Sequence, residues 1–167
     1  MSFRETKLAL LAVDLSGYAR ASAKLDALAI AALLDDWYRR AAAVVTARGG
    51  RVVKFMGDAL LATFPEERCV DAVDAALELE RKLGETRVHR ELGLGLGANV
   101  HLALVAEGDL GPDDDARYDV LGSGVNHVFM MGGGAGIRIS EPVYRRLPND
   151  RRGRWNKHRP PTTYRLA

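Results

Sequence analysis

The chain has 167 residues, a net charge of +2, and 47% hydrophobic and 28% charged residues, which are the proportions of one globular domain with a substantial core. This net charge does not indicate a nucleic-acid partner, and we expect no nucleic acid to bind. The single cysteine excludes an internal disulfide and a cysteine-rich metal site. No apolar run approaches the roughly 20 residues that span a bilayer, and residues 1–7 show no signal-peptide pattern, so we expect a cytoplasmic protein with no membrane contact.

The first predicted element is a short buried strand at residues 8–13, which ends in Asp14. Ser16 and Gly17 then form a small-residue turn that leads into a long amphipathic helix over residues 22–48. A carboxylate at the end of a strand, beside the free N–H groups of a following helical turn, is well placed to hold a metal next to a phosphate.

Residues 51–64 are predicted to form a hairpin with Gly57 and Asp58 as its two-residue turn. Glycine at the first turn position accepts a positive φ without a steric penalty. The turn presents Asp58 at its tip, with Lys54 four residues earlier. Taken alone, this pattern favours a solvated turn and an ordinary surface lysine. Together with Asp14, however, it offers two carboxylates that can share one or two divalent cations for phosphoryl chemistry.

The second half of the chain continues with alternating elements. They are a helix opening at residue 65, a strand region at 92–108, a short strand beginning at Asp119, a helix at 124–131, a strand at 137–139, a helix at 141–147 and a closing hairpin in the tail. This order matches a ferredoxin-like α+β core. No linker-like stretch interrupts it, so residues 1–167 are predicted to form a single domain.

Several conspicuous residues are interpreted as structural. The glycines near residue 95 do not fit a dinucleotide fingerprint, because Val100 stands where glycine is needed and a strand follows. They are expected to relieve crowding within a sheet. His101 is expected to be a hydrogen-bonded structural histidine, and Cys69 an inert packed residue. The acidic residues 113–115 are expected to be solvated.

The basic tail is interpreted as a solvated hairpin rather than a nucleic-acid site, with Tyr164 and Leu166 packing inward. Its six basic residues are Arg151, Arg152, Arg154, Lys157, Arg159 and Arg165.

Three motifs resemble those of the class III nucleotidyl cyclase catalytic domain, the adenylate/guanylate cyclase family. They are AVDLSGY at residues 12–18, KFMGDALLATF at 54–64 and YDVLGSGVN at 118–126. All three occur in the family's order and at about its spacing, and the likeness extends over residues 8–166. The resemblance implies an antiparallel sheet with helices and a head-to-tail homodimer with active sites across its interface.

By the same resemblance, Asp14 and Asp58 of one protomer would bind two Mg²⁺ or Mn²⁺ ions, and the backbone at Gly17 and Tyr18 would hold phosphates. The ions would activate the ribose 3′-hydroxyl and neutralise the triphosphate.

Base recognition is assigned by the resemblance to Lys54 and Asp119 of the other protomer. A lysine only donates hydrogen bonds and a carboxylate only accepts them, which fits N1 and N6 of adenine and favours ATP over GTP. Asn126 matches the family's asparagine that orients the ribose.

Two positions depart from the family pattern. Met130 stands where an arginine is usual, and Thr162 where a lysine often holds the triphosphate. Losing such a cation can cost several orders of magnitude in rate. Either Arg138 or a tail arginine would be available to supply the missing charge.

Three hypotheses follow from these motifs and departures. The chain is an active adenylate cyclase, slowed where Met130 replaces the usual arginine, or a cyclase-like nucleotide-binding or regulatory domain that does not turn over, or a diguanylate cyclase. The last ranks lowest because FMGDA stands where that fold relative carries G-G-(D/E)-E-F.

Overall fold

A computed structural model describes residues 3–158 and 162–167. The strands are β1 Arg4–Ser16, β2 Arg51–Met56, β3 Ala59–Pro65, β4 Gly95–Leu110, β5 Arg117–Leu121, β6 Gly136–Ser140, β7 Trp155–His158 and β8 Thr163–Leu166. The helices are α1 Tyr18–Ser22, α2 Ala27–Ala47, α3 Cys69–Glu85, α4 Arg87–Glu91, α5 Ser123–Met130, α6 Glu141–Arg146 and α7 Asn149–Arg152. The α+β fold predicted from the sequence is confirmed.

One sheet organises the domain, with strand order β2-β3-β1-β4-β6-β8-β7 and β5 paired to β4. Its pairs are antiparallel except β4 with β6, which run parallel. The expectation of an antiparallel sheet is therefore corrected at this one pair. The segment from β5 through α5 carries the chain back across the sheet, and such a crossover is what a parallel pair requires.

The two faces of the sheet are covered unequally. Alternate residues of β1, including Leu11 and Val13, pack with Trp37 of α2 and Leu79 of α3 in the larger core cluster. The residues between them, including Leu10, pack in a smaller cluster with residues of β5 and α5. Successive side chains of a strand point to opposite faces. Asp14 therefore continues the second series, on the face that α5 covers.

The helix predicted over residues 22–48 is α2, which begins later than expected. Asp26 accepts a hydrogen bond from Ala29 N at 2.8 Å and caps α2, which therefore begins at residue 27, while α1 is a separate short helix. The short helices α4 and α7 were not predicted. The strand predicted to begin at Asp119 begins two residues earlier, at Arg117.

The closing hairpin is confirmed as β7 and β8, and Tyr164 and Leu166 pack against the core. Arg151 forms an ion pair with Asp74, and Arg152 donates to the backbone carbonyl of Leu147 at 3.0 Å. These contacts agree with a structural tail. Arg159 lies outside the described residues. Within residues 3–158 and 162–167, no helix combines the length and the apolar character needed to cross a membrane.

Candidate active site

Asp14 lies where β1 approaches its end, directly opposite Gly97 of β4. A Cβ atom at position 97 would collide with Asp14 Oδ1 and would lie 2.7 Å from the carbonyl oxygen of Gly134. The Asp14 carboxylate therefore rests over the bare backbone of Gly97. The expectation that a glycine of this strand relieves crowding is confirmed here, and the space it clears is occupied by a carboxylate.

Asp58 is brought to the same place by the β2–β3 hairpin. Gly57 has a φ of 63°, as a two-residue turn with glycine at its first position requires. Asp58 Oδ2 accepts a hydrogen bond from Leu15 N at 3.3 Å, so the hairpin tip is bonded to the strand end that carries Asp14. The two predicted carboxylates are thus neighbours.

The electrostatics of this pair favour a bound cation. Burial raises the pKa of the Asp14 carboxyl, the negative charge of Asp58 raises it further, and Arg138 partly opposes both. A divalent cation between the carboxylates would relieve their repulsion. Oxygen ligands suit Mg²⁺ and Mn²⁺, and Mg²⁺ is usually held by one or two carboxylates plus substrate phosphates. Among the described residues, no group of three or more His, Cys, Asp or Glu forms a self-sufficient metal site. The two-carboxylate set fits an ion whose remaining ligands come from water or a bound anion.

Tyr38 of α2 anchors the hairpin tip, a role the sequence analysis missed. Its hydroxyl donates to the carbonyl oxygen of Gly57, and its ring stacks on Phe55 with centroids 4.0 Å apart. Burial raises the pKa of the Tyr38 hydroxyl, and Tyr18 and Asp58 raise it further. The sequence signal was limited to a tyrosine beside the apolar stripe of a helix. Its partner is 19 residues away and is not visible from local patterns.

The turn after β1 offers backbone N–H groups next to these carboxylates. Gly17 has a φ of 86° and precedes α1, and a Cβ there would lie 3.1 Å from the carbonyl oxygen of Gly93. Tyr18 is half-buried and packs against the larger core cluster. The first N–H groups of a helix have no partner within it, so this turn is able to receive an anion.

Lys54 and Asp119 form a second pair. Lys54 Nζ lies 2.7 Å from Asp119 Oδ2 and 2.9 Å from Oδ1, and Val120 N donates to Oδ1 at 2.8 Å. The two predicted base-reading residues therefore meet within one chain, although they are 65 positions apart.

The strand that carries Asp119 is fixed by its neighbour Tyr118. The Tyr118 hydroxyl donates to Glu107, which also accepts a bond from Arg4 at 2.7 Å. The guanidinium of Arg51 lies 3.4 Å above the Tyr118 ring. This network holds β5 in place and was not predicted.

The remaining predicted residues lie on exposed surface. Asn126 is exposed on α5, Met130 is 76% exposed at the end of the same helix, and Thr162 is exposed before β8. The end of α5 reaches Asp14, because Phe129 and Asp14 line one cavity of about 200 Å³.

Asn99 also lines that cavity and was missed by the sequence analysis. It donates to the carbonyl oxygens of Val128 and Gly132 at 2.9 and 3.0 Å, and so ties the end of α5 to the sheet.

The residues expected to be structural behave as such. His101 Nδ1 lies 2.9 Å from Ser140 Oγ, and burial together with His127 lowers the pKa of His101 to about 4. Cys69 is buried, which raises the pKa of its thiol to about 11. Asp113, like the two aspartates after it, is exposed.

Comparison with known proteins gives one family. The family model described as the adenylate and guanylate cyclase catalytic domain matches residues 2–159. An adenylate cyclase of Anabaena cylindrica is 25% identical over 154 residues, which cover 84% of this chain. The chain spans only 31% of the length of that relative.

Solved structures agree with this at the level of the fold. The guanylyl cyclase Cya2 superposes with a TM-score of 0.87 at 22% identity and covers 100% of this chain and 94% of its own. The adenylyl cyclase CyaB from P. aeruginosa gives 0.84 at 19% identity, over 100% and 96%. Cyclases named for either base are thus similar in fold. The chain belongs to the adenylate and guanylate cyclase catalytic domain family.

Proposed function

We propose that this domain is an adenylate cyclase that converts ATP to 3′,5′-cyclic AMP and pyrophosphate at sites shared by two copies. The observation that carries the proposal is the meeting of Asp14 and Asp58 at the end of β1, joined by the hydrogen bond from Leu15 N to Asp58 Oδ2 at 3.3 Å. Two oxygen-donor carboxylates beside a turn with free N–H groups suit a metal-bound triphosphate.

In this proposal the chain mainly positions the substrate and neutralises its charge. Two Mg²⁺ or Mn²⁺ ions bound at Asp14 and Asp58 would supply a more acidic ribose 3′-hydroxyl and a neutralised triphosphate. The N–H groups after Gly17 receive phosphate oxygens, and Asn126 of the other protomer orients the ribose. The 3′-hydroxyl loses its proton to water, its oxygen bonds to the α-phosphorus, and pyrophosphate leaves with the electrons of the α-phosphorus–oxygen bond that breaks. Phosphoryl transfer needs little covalent work from the protein.

The preference for adenine is proposed from Lys54 and Asp119. Lys54 donates to N1 of the base, and Asp119 accepts from the N6 amino group. Guanine presents the reverse pattern, with a donor at N1 and an acceptor at O6, so the same pair fits it less well. For this reason GTP is the informative competitor in any assay.

The second candidate is a cyclase-like domain that binds nucleotide without turnover. The observation in its favour is that Met130 and Thr162 are both exposed and uncharged, where the family pattern places cations. The first candidate stands ahead because both metal carboxylates and both base-reading residues are present.

The test is incubation with each nucleoside triphosphate and Mn²⁺ or Mg²⁺, followed by chromatographic and mass-spectrometric identification of the product. We expect cyclic AMP and pyrophosphate from ATP, and a smaller yield from GTP. Asp58→Asn should abolish product, because it removes a charged ligand from a hard cation. Asp113→Asn, at an exposed carboxylate of the β4–β5 loop, is the matched control and should behave as wild type. Nucleotide binding without any cyclic product would favour the second candidate.

A further inference from the structure

Two arginines lie side by side on the sheet face that carries Asp14. Arg138 of β6 and Arg165 of β8 are direct cross-strand partners. Arg138 is in register with Asn99 of β4, which is in register with Ala12 of β1. Side chains at register partners point to the same side of a sheet, and residues two apart in a strand share a face. The two arginines therefore share the face of Ala12 and Asp14.

Two glycines lie on the sheet between Asp14 and Arg165, and the carbonyl oxygen of Gly134 covers Gly97. Gly97 and Gly136 are register partners on the adjacent strands β4 and β6. A Cβ on Gly97 would collide with Asp14 Oδ1, and a Cβ on Gly136 would lie 3.4 Å from Arg165 Nη2. The carboxylate thus leans over one glycine and the guanidinium over the other. Neither position contributes a side chain to the space between the two charges.

The arginine pair costs stability unless an anion accompanies it, since like charges directly opposite each other on a sheet repel. Arg138 cannot move away, because it is only 6% exposed and donates to the carbonyl oxygens of Gly133, Gly134 and Gly136 at 2.5, 3.4 and 3.3 Å. Burial and Arg165 both lower the pKa of Arg138, and the negative charge of Asp14 on the same face partly opposes them. Arg165 is exposed and able to reach a ligand.

We propose that Arg165, with Arg138 behind it, binds the phosphate chain of a nucleoside triphosphate whose cations are held by Asp14 and Asp58 of the same chain. The proposal rests on the proposed function of that site and adds its phosphate-binding residues. A guanidinium forms paired hydrogen bonds with phosphate oxygens. Arg165 is the contact residue, while Arg138 positions the glycine turn and contributes its charge. The positive charges near the phosphates thus come from two strands, β6 and β8.

The experiment measures binding of inorganic tripolyphosphate with Mg²⁺ to the full chain by isothermal titration calorimetry. Arg165→Ala should weaken binding about tenfold or more, the loss typical of a charged hydrogen-bonding partner. Lys157→Ala is the matched control, because Lys157 sits in the same hairpin and is in register with Tyr164 rather than with Arg165, so it faces the other side of the sheet. It removes the same charge and should change the affinity less than about twofold. Arg165→Lys should fall between wild type and Arg165→Ala.

Equal weakening by the two alanine variants would overturn the proposal, because it would reveal only a general electrostatic effect. An Arg165→Ala protein with wild-type affinity, or a wild-type protein that does not bind tripolyphosphate, would overturn it too. These outcomes are independent of catalysis. A chain that makes no cyclic nucleotide yet loses tripolyphosphate affinity with Arg165→Ala supports the arginine site while the proposed activity fails. An active chain whose tripolyphosphate affinity ignores Arg165 leaves the activity standing and removes the arginines from it.

Discussion

Lys54 and Asp119 bond to each other at 2.7 Å, so under the proposed function a nucleotide base would exchange this bond for its own. Both side chains are partly exposed, at 37% and 25%, and an ion pair in such a position is worth only about 0–1 kcal/mol. Breaking this ion pair therefore costs little free energy. The pair instead keeps a donor and an acceptor at the separation that a base edge needs, while Val120 N holds one carboxylate oxygen in place.

Met130 is the residue at which the family pattern and this chain differ most clearly, and its exposure decides how to test it. Met130 is 76% exposed and does not pack in the core, so an arginine there would not bring a charge into the protein interior. We expect Met130→Arg to raise kcat by about tenfold or more and to lower KM less, because the added charge acts on the transition state. Initial rates over a range of ATP concentrations separate the two constants.

The control for this variant is Leu28→Arg, which adds the same charge at an 83% exposed apolar position on α2. Its kinetics should match wild type. A folded Met130→Arg protein with unchanged kcat would contradict the expectation and would indicate that another cation already serves the phosphates. Wild-type turnover as fast as that of ordinary family members would contradict the premise.

Among the elements, β4 shows how one strand prepares the site without contributing a reactive group. Gly97 makes room for the Asp14 carboxylate, and Asn99 ties the end of α5 to the sheet. We expect Gly97→Ala to displace Asp14, to destabilise the fold by about 1–3 kcal/mol through overpacking, and to abolish metal-dependent turnover. Thermal unfolding and product assays on the same samples measure the two effects.

Gly95→Ala provides the comparison within the same strand. A Cβ at position 95 would lie 3.3 Å from Ala135 Cβ and 3.7 Å from Ser16 Cβ, a milder approach that small shifts relieve. This variant should retain most activity. If both alanine variants lose activity equally, or if Gly97→Ala keeps it, the space over Gly97 does not serve the Asp14 carboxylate.

Elements with strong local patterns were predictable, and those set by distant contacts were not. The strand before Asp14 and the hairpin around Gly57 follow from apolar runs and one turn glycine, which act within a few residues. The parallel pairing of β4 with β6 depends on a crossover, and no local periodicity encodes it. The short helices α1, α4 and α7 are each four or five residues long, too short to show a period.

The residues of the candidate site follow the same rule: those that belong to a sequence motif were predictable, and those that act through distant contacts were not. Motif spacing identified Asp14, Asp58, Lys54 and Asp119, and the structure brings them together in two pairs. Tyr38 escaped prediction, because it matters only through a contact with a residue far along the chain. Arg165 was named only as one of several tail arginines able to supply charge, because its neighbours across the sheet are defined by register.

At the scale of the whole molecule, apolar surface lies beside the two carboxylates. Phe129 and Ala59 line the cavity with Asp14, and Phe129 is 42% exposed. Met56, the register partner of Ala59, is 38% exposed. Exposed apolar residues next to a site suit a surface that a second copy covers. This arrangement supports the proposed homodimer, in which one copy brings Asp14 and Asp58 and the other brings the base-reading pair.

An active site built from two chains can be tested by mixing two variants that are each inactive alone. Asp58→Ala and Lys54→Ala proteins should each be inactive alone, because every site of either homodimer lacks one residue. Equal mixing should restore about a quarter of wild-type activity, since half of the dimers are then mixed and each has one intact site of two. Asp58→Ala mixed with Asp14→Ala is the control and should restore nothing, because both changes affect the same half of the site. Recovery in the control as well, or in neither mixture while all variants remain folded and dimeric, would contradict a site built from two chains.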